Sequence, residues 1–274
     1  MKIALIGAGG KMGVRLSQNL KGSRFNVAHV EVSDAGRDRL KAEVGVDCVD
    51  VDAALEDARA VILAVPDTAI RAVAKGIIDK LAPGSMLIAL DAAAPFAGHF
   101  PERKDVTYFV THPCHPPIFN DETQLPAKRD YFGGIAAKQA IVNALMQGPE
   151  EDYAIGEEIA KTIFQPILRS HRVSVEQMAL LEPGLSETVC ATLLVVMKEA
   201  MDEVIRRGVD PVAARDFLLG HMNILGAVVM EEVDGVFSDA CNKAITNGKK
   251  RLMRDDWIGV FKPDEIRESI RQIT

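Results

Sequence analysis

The sequence predicts an α/β fold in which an N-terminal doubly wound parallel sheet precedes a C-terminal all-helical domain. Three observations carry this. Short Val/Ile/Leu-rich runs alternate with amphipathic segments in the first half of the 274 residues, a glycine-rich turn follows the first run, and helical periodicity dominates from about Glu150. Near-continuous apolar strands separated by helices mark a parallel sheet covered on both faces.

Lys2–Ile6 reads as the first strand and Lys11–Leu20 as the helix after it. Phe25–Val32 is the second strand and Gly36–Val44 the second helix. Ala60–Val65 (AVILAV) is a buried strand, followed by a helix over Asp67–Leu81. Ser85–Leu90 and Val106–Thr111 are two further strands, and Gly134–Ala144 can supply another. Beyond Pro149 the segments Glu150–Phe164, Val173–Leu181, Leu185–Arg207, Pro211–Glu232 and Pro263–Ile273 space apolar residues three and four apart, as helices do. Gly208 ends the long helix behind two arginines, and Asp210 caps the next with Pro211 in its first turn. The pattern changes near Pro166–His171, which divides the chain into domains 1–168 and 169–274.

Composition narrows the function. A net charge of −7 with no run of Lys or Arg argues against a nucleic-acid partner. The start, MKIALIGAGG, lacks a charged segment and a cleavage site, so it does not read as a signal peptide. The longest apolar runs, such as Thr192–Met197 and Ile224–Met230, fall short of the roughly 18–20 residues of a membrane span. Cys48, Cys114, Cys190 and Cys241 are far apart, which argues against a disulfide framework or a structural zinc site. These points predict a cytoplasmic protein.

Between the first strand and helix stand Gly7, Gly9, Gly10, Lys11, Met12 and Gly13. A tight turn, close backbone approach to a pyrophosphate and side-chain-free packing of helix on strand all call for glycine there. The spacing is G-x-x-G-x-x-G with Gly9 in addition, a variant of the usual fingerprint. Glu31 ends the second strand, where an acid accepts the adenosine ribose hydroxyls and repels a 2′-phosphate, favouring NAD over NADP; Arg37 and Arg39 nearby temper that preference. Val65, Asp67 and Ile70 follow the buried third strand at the edge the cofactor crosses; Asp67 also suits a helix cap. Domain 1–168 is therefore expected to be an NAD-binding Rossmann domain.

The strand Val106–Thr111 runs into His112-Pro113-Cys114-His115-Pro116-Pro117. Two histidines three residues apart, in a proline-stiffened loop at the carboxyl edge of the sheet, suit a general base or a metal ligand. Glu182 and Glu187 flank Pro183-Gly184-Leu185-Ser186 within an apolar run, where Pro and Gly are expected to break the helix. His115 with one or both glutamates would offer imidazole and carboxylate ligands to Mg²⁺, Mn²⁺ or Zn²⁺, although Glu187 also suits a first helical turn. His221, Asn223, Asn242 and Lys243 each read more simply as structural, with Lys243 a possible carboxylate binder.

The glycine turn ending in Lys-Met-Gly, the strand ending in Thr-His-Pro and the helical second half resemble the 6-phosphogluconate/β-hydroxyacid dehydrogenase superfamily over essentially the whole chain. Gly-Lys-Met-Gly and His112-Pro113 are also similar to prephenate dehydrogenases, where that histidine is catalytic. The Gly-x-x-x-Lys-x-x-x-Asn pattern of hydroxyacid dehydrogenases is absent, and Glu182 to Glu187 stand in its place. Carboxylates there resemble the metal-dependent ketol-acid reductoisomerases, and the combination resembles the D-apionate oxidoisomerase group. The resemblance implies NAD-dependent oxidation of a branched 2,3-dihydroxy sugar acid with a metal-assisted 1,2-shift to a 3-oxo acid, in sugar-acid catabolism. His112, His115 and Glu187 would be catalytic, and His115, Glu187 and Glu182 would hold the metal. The alternatives are a simple NAD-dependent hydroxyacid dehydrogenase and a non-catalytic NAD(H) sensor. The apolar helices of 169–274 exceed what a small lobe can bury alone, so a homodimer is expected.

Overall fold

The computed structural model describes residues 1–274. Seven strands form one sheet: β1 (Lys2–Ile6), β2 (Asn26–Val30), β3 (Ala60–Leu63), β4 (Met86–Ala89), β5 (Thr107–Pro113), β6 (Gln139–Gln147) and β7 (Ile167–Arg172), in spatial order β2-β1-β3-β4-β5-β6-β7. The helices in chain order are α1 (Lys11–Leu20), α2 (Asp34–Val44), α3 (Val51–Leu55), α4 (Asp67–Ile77), α5 (Ala93–Phe96), α6 (Leu125–Lys128), α7 (Asp152–Ile163), α8 (Val175–Ala179), α9 (Thr192–Arg206), α10 (Pro211–Val229), α11 (Asp239–Leu252) and α12 (Pro263–Ile273).

The sheet alternates its burial as a doubly wound fold requires. Ile3 and Leu5 of β1 join one apolar layer with Phe109, Ile159 and Ile163, while Ala4 and Ile6 join the other with Ile70, Ala74 and Ile77. Strands β1 to β5 are parallel, but β6 runs antiparallel to β5 and parallel to β7, so the sheet is mixed rather than wholly parallel. The order reverses between β1 and β3, which opens the crevice where ligands of such sheets bind.

The chain separates into two compact units, Met1–Glu182 with Arg267–Thr274, and Pro183–Ile266. The sequence placed the change at 168/169 instead. The difference has a physical origin: Ile167–Arg172 is not helical but pairs with β6 as an edge strand, which carries the sheet past that point. Its residues, ILRSHR, are mostly exposed and lack the apolar alternation that announces a strand.

Pro183 and Gly184 do not break the helix. Leu180–Ala191 is π-helical, continuous with α8 before it and α9 after it. Proline cannot donate to a helical ladder, and a segment closed at i→i+5 changes which carbonyls need a partner. The Thr188 hydroxyl donates to Pro183 O at 2.7 Å within it.

In Pro183–Ile266, α9 buries no residue and α10 buries only Ala214 and Ala227. Asp210 caps α10 through the N–H groups of Val212 and Ala213, and Gly208 adopts φ +101° after α9. Met197, Met201, Val204, Phe217, Leu218 and Leu225 line an open apolar groove of about 530 Å³. Against the reading of short apolar runs, the helices Val175–Arg206 and Pro211–Val229 each contain an 18-residue window, of mean hydropathy 1.5 and 1.3, long and apolar enough by length and composition to cross a membrane. Core helices of globular proteins carry the same signature, but they are mostly buried, and only 11% of each window is buried here. α11, capped by Ser238, went unread because its polar composition hides its period.

Candidate active site

The glycine turn lies at the β1/β3 reversal. Gly7 adopts φ +82°, and a Cβ there would stand 2.4 Å from Ala64 O. A Cβ on Gly13 would stand 2.1 Å from Gly7 O, and one on Gly9 2.4 Å from Gly36 O. These positions therefore admit only glycine, for reasons of backbone packing. Gly7 and Ala8 N–H both donate to Val30 O, at 2.9 and 3.0 Å, tying the turn to β2. Gly10 is the N-cap of α1 and has no side chain to satisfy the first-turn N–H groups. Those of Lys11, Met12 and Gly13 point out of the helix end, an anion site by construction.

Glu31 follows β2 directly. One carboxylate oxygen accepts from Gly9 N–H at 3.0 Å, and the other from Ser33 N–H at 2.9 Å and the Ser33 hydroxyl at 3.0 Å. Partial burial opposes its ionisation, but the Ser33 and Gly9 hydrogen bonds outweigh it and hold the carboxyl below the usual range. Arg37 donates to Glu31 O at 2.7 Å and Arg39 to Gly9 O at 2.6 Å, so both guanidiniums already serve backbone carbonyls.

Val65 packs toward the glycine turn, its Cγ1 2.9 Å from where a Gly7 Cβ would be. Asp67 is the first residue of α4, and the N-cap is Pro66, so Asp67 is a first-turn acid rather than the cap. Ile70 is 2% exposed, in the layer with Ala74 and Ile77, and is core rather than open wall.

His112 lies near the carboxyl end of β5. Its Nδ1 is 2.9 Å from Leu90 O, an acceptor only, which fixes the Nδ1–H tautomer and leaves Nε2 with a free lone pair. Burial pushes its pKa below the ordinary histidine value, against the Asp91 carboxylate 3.8 Å away and the Leu90 carbonyl, which both raise it. His115 follows with φ +62°, a left-handed conformation uncommon outside glycine. Its Nδ1 is 2.9 Å from Phe132 O, so Nε2 is again the exposed lone pair. The two imidazole rings are 6.1 Å apart and nearly perpendicular. A cleft of about 280 Å³ beside α1 is lined by Lys11, Met12, Arg15, Pro113, Phe132 and Phe164, among others.

The structure thus brings together the glycine turn with Glu31, and His112 with His115. Sequence reading missed Asp91 and the carbonyls of Leu90 and Phe132. Asp91 had a signal, an acid just beyond a buried strand, whereas the carbonyls belong to unremarked positions. Glu182 is half-buried and Glu187 exposed on the π-helical segment. Residues five apart stand about 140° around an α-helix; closure at i→i+5 brings them toward one face. One chain gathers no group of three or more His, Cys, Asp or Glu side chains able to hold a metal ion.

Comparison with known proteins agrees with this geometry. Residues 2–96 match the NAD-binding domain of 6-phosphogluconate dehydrogenase, and residues 120–274 match the C-terminal domain of decarboxylating phosphogluconate dehydrogenase. The chain is 71% identical to the D-apionate oxidoisomerase of Rhizobium rhizogenes, covering 99% of each chain. It is 67% identical to that of Cupriavidus necator, over 100% of this chain and 99% of that one. It superposes with TM-score 0.98 on a solved Cupriavidus necator protein, 67% identical over 100% of this chain and 99% of that one, described as a semialdehyde dehydrogenase NAD-binding protein in complex with calcium and NAD. A nucleotide cradle, a neutral histidine at its edge and full-length likeness together place the chain in the D-apionate oxidoisomerase family, NAD-dependent oxidoreductases built on the 6-phosphogluconate dehydrogenase plan.

Proposed function

We propose that this enzyme oxidises D-apionate, or a closely similar branched 2,3-dihydroxy acid, at C2 and rearranges the product to a 3-oxo acid. The observation that carries the reading is His112: neutral, held by Leu90 O through Nδ1, with Nε2 open at the carboxyl edge of the sheet. The relatives' activity supports the substrate.

NAD, when bound, supplies the hydride acceptor. The first-turn N–H groups of α1 would hold its pyrophosphate, Glu31 would take the ribose hydroxyls, and Val65 and Asp67 would border it. His112 Nε2 accepts the C2 hydroxyl proton as the C2 hydride departs, leaving a 2-oxo acid with a tertiary hydroxyl at C3. Loss of the C3 hydroxyl proton then lets a C3 substituent leave with its bonding pair and bond to C2; C3 becomes the ketone, and the C2 carbonyl becomes an alkoxide that takes up a proton in place of the one lost. The second stage is an isomerisation and needs no further oxidant.

The residues that would hold a divalent ion on this reading are His115, through Nε2, and Glu182 and Glu187, through their carboxylates. Such an ion would polarise the C2 ketone and stabilise the alkoxide; magnesium, manganese and zinc all suit imidazole-plus-carboxylate coordination. A single chain gathers no three-ligand group, and α9 and α10 are almost wholly exposed. The exposed helices support a homodimer in which a second copy covers them. Burial of the apolar helices in such a dimer also fits a cytoplasmic enzyme.

The test is NADH formation at 340 nm with D-apionate and unbranched hydroxy acids, with and without EDTA, followed by NMR of the product. NADH formation abolished by EDTA, with a rearranged skeleton, is the expected result. EDTA-insensitive formation of an unrearranged keto acid would establish an ordinary dehydrogenase and return Glu182 and Glu187 to structural roles.

A further inference from the structure

We propose that Arg15 is a positioning residue for His115, tying the helix that receives the cofactor to the loop that carries the histidine. The inference rests on the reading that His115 acts in the site. Arg15 stands one turn beyond Lys11 on α1, half-buried. Its Nη1 donates to Gly133 O at 2.8 Å, and its guanidinium lies 5.0 Å from the centre of the Phe132 ring. The Phe132 carbonyl is the acceptor that fixes His115 Nδ1, and the Phe132 ring meets the His115 ring edge to face at 6.2 Å. One side chain therefore holds Phe132, on which His115 rests, and the glycine that follows it.

The segment needs that grip. Tyr131, Phe132 and Ile135 are 77%, 66% and 63% exposed, so it has little apolar burial of its own. Gly133 and Gly134 both take left-handed φ, +72° and +81°. The Asp130 carboxylate accepts N–H bonds from Ile135, Ala136 and Ala137 and its carbonyl accepts from Gly133 N–H, while Asn19 of α1 donates to Gly134 O at 2.9 Å; none of these holds Phe132. His115 itself sits in a left-handed conformation, which persists only where the surroundings over-determine it. Arg15 adds the constraint at Phe132 and Gly133, by a charge-assisted hydrogen bond and a cation–π contact. Arg15 thus links α1, whose N-terminus is proposed to receive the pyrophosphate, to the loop beside His115.

The test uses full-length protein saturated with NAD and no added divalent ion, comparing wild type, Arg15→Met and Arg15→Lys. Long-range ¹H–¹⁵N spectra read the His115 tautomer, calorimetric titration of NAD into nucleotide-free protein reads NAD affinity, and steady-state kinetics with the ion restored read kcat and KM. In Arg15→Met the His115 ring is expected to lose its single Nδ1–H tautomer. NAD affinity should stay within about twofold, and kcat should fall about tenfold or more with a smaller change in KM. Arg15→Lys retains a donor for Gly133 O and is expected to recover part of the loss. An unchanged His115 tautomer in Arg15→Met overturns the proposal, whether or not NAD affinity falls. A lost tautomer with undiminished turnover upholds the positioning role and removes His115 from the chemistry.

Discussion

A histidine serves as a base at neutral pH only if it is neutral and points its lone pair at the substrate. Burial lowers the His112 pKa and Leu90 O takes its Nδ1–H. The acid limb of the kcat/KM profile should therefore lie below the ordinary value of about 6.5. Asp91 opposes the shift, so Asp91→Asn should move the limb to still lower pH, and a limb that moves upward would refute the assignment. His112→Asn should lower kcat by about 100- to 10,000-fold with NAD affinity unchanged. Glu31 makes a second residue-scale prediction. Its carboxylate is held ionised by hydrogen bonds that include Gly9 N–H, and it is the group proposed to take the ribose hydroxyls. Glu31→Gln should weaken NAD binding about tenfold or more through the lost charge-assisted bonds. It should also narrow the preference over NADP, because the repelling charge is gone; titration with both nucleotides measures the two effects.

At the scale of elements, the nucleotide turn was legible because its constraint is local. Gly7 needs a left-handed φ and Gly13 must let helix meet strand, and no other residue does either. A Cβ on Gly13 would lie 2.1 Å from Gly7 O and 2.7 Å from Ala8 O, both backbone atoms that cannot rotate away. Gly13→Ala should abolish NAD binding and lower Tm by about 5–10 °C. The same change at Gly76 of α4, where nothing lies within 4 Å, should stabilise by about 0.5–1 kcal/mol through helix propensity; thermal melts of the pair check the contrast. What stayed illegible is what depends on partners distant in sequence. Edge strand β7 is strand only because β6 pairs with it, since ILRSHR has no pattern of its own. Pro183 and Gly184 looked like a stop because both are poor helix formers, but the chain widens into a π-helical segment instead of breaking. The histidine pair was legible from its prolines and its place after a strand. Its tautomers were not, being set by Leu90 O and Phe132 O, carbonyls that any residue could supply.

For the whole molecule, the exposed helices and the dispersed ligand candidates raise one question. α9 buries nothing, and Leu194, Val195, Phe217, Ile224 and Val229 are 46%, 56%, 68%, 50% and 58% exposed. That much apolar surface is covered by something in a working enzyme. If the cover is a second copy, the two-fold symmetry of a dimer makes each surface meet its equivalent and yields two equal sites. If each site also takes His115 from one copy and Glu187 from the other, single variants at either position should be inactive alone. Mixed with subunit exchange, they should recover activity. Random pairing places half the chains in mixed dimers, each with one intact site and one site lacking both groups, so about a quarter of wild-type turnover should return. Unmixed His115→Ala and Glu187→Ala preparations give the baseline, and sedimentation gives the state of association. Recovery near a quarter assigns the two groups to different copies. No recovery from a mixture shown to exchange subunits places both in one copy, or removes one from the chemistry, and a monomer by sedimentation eliminates the shared site altogether.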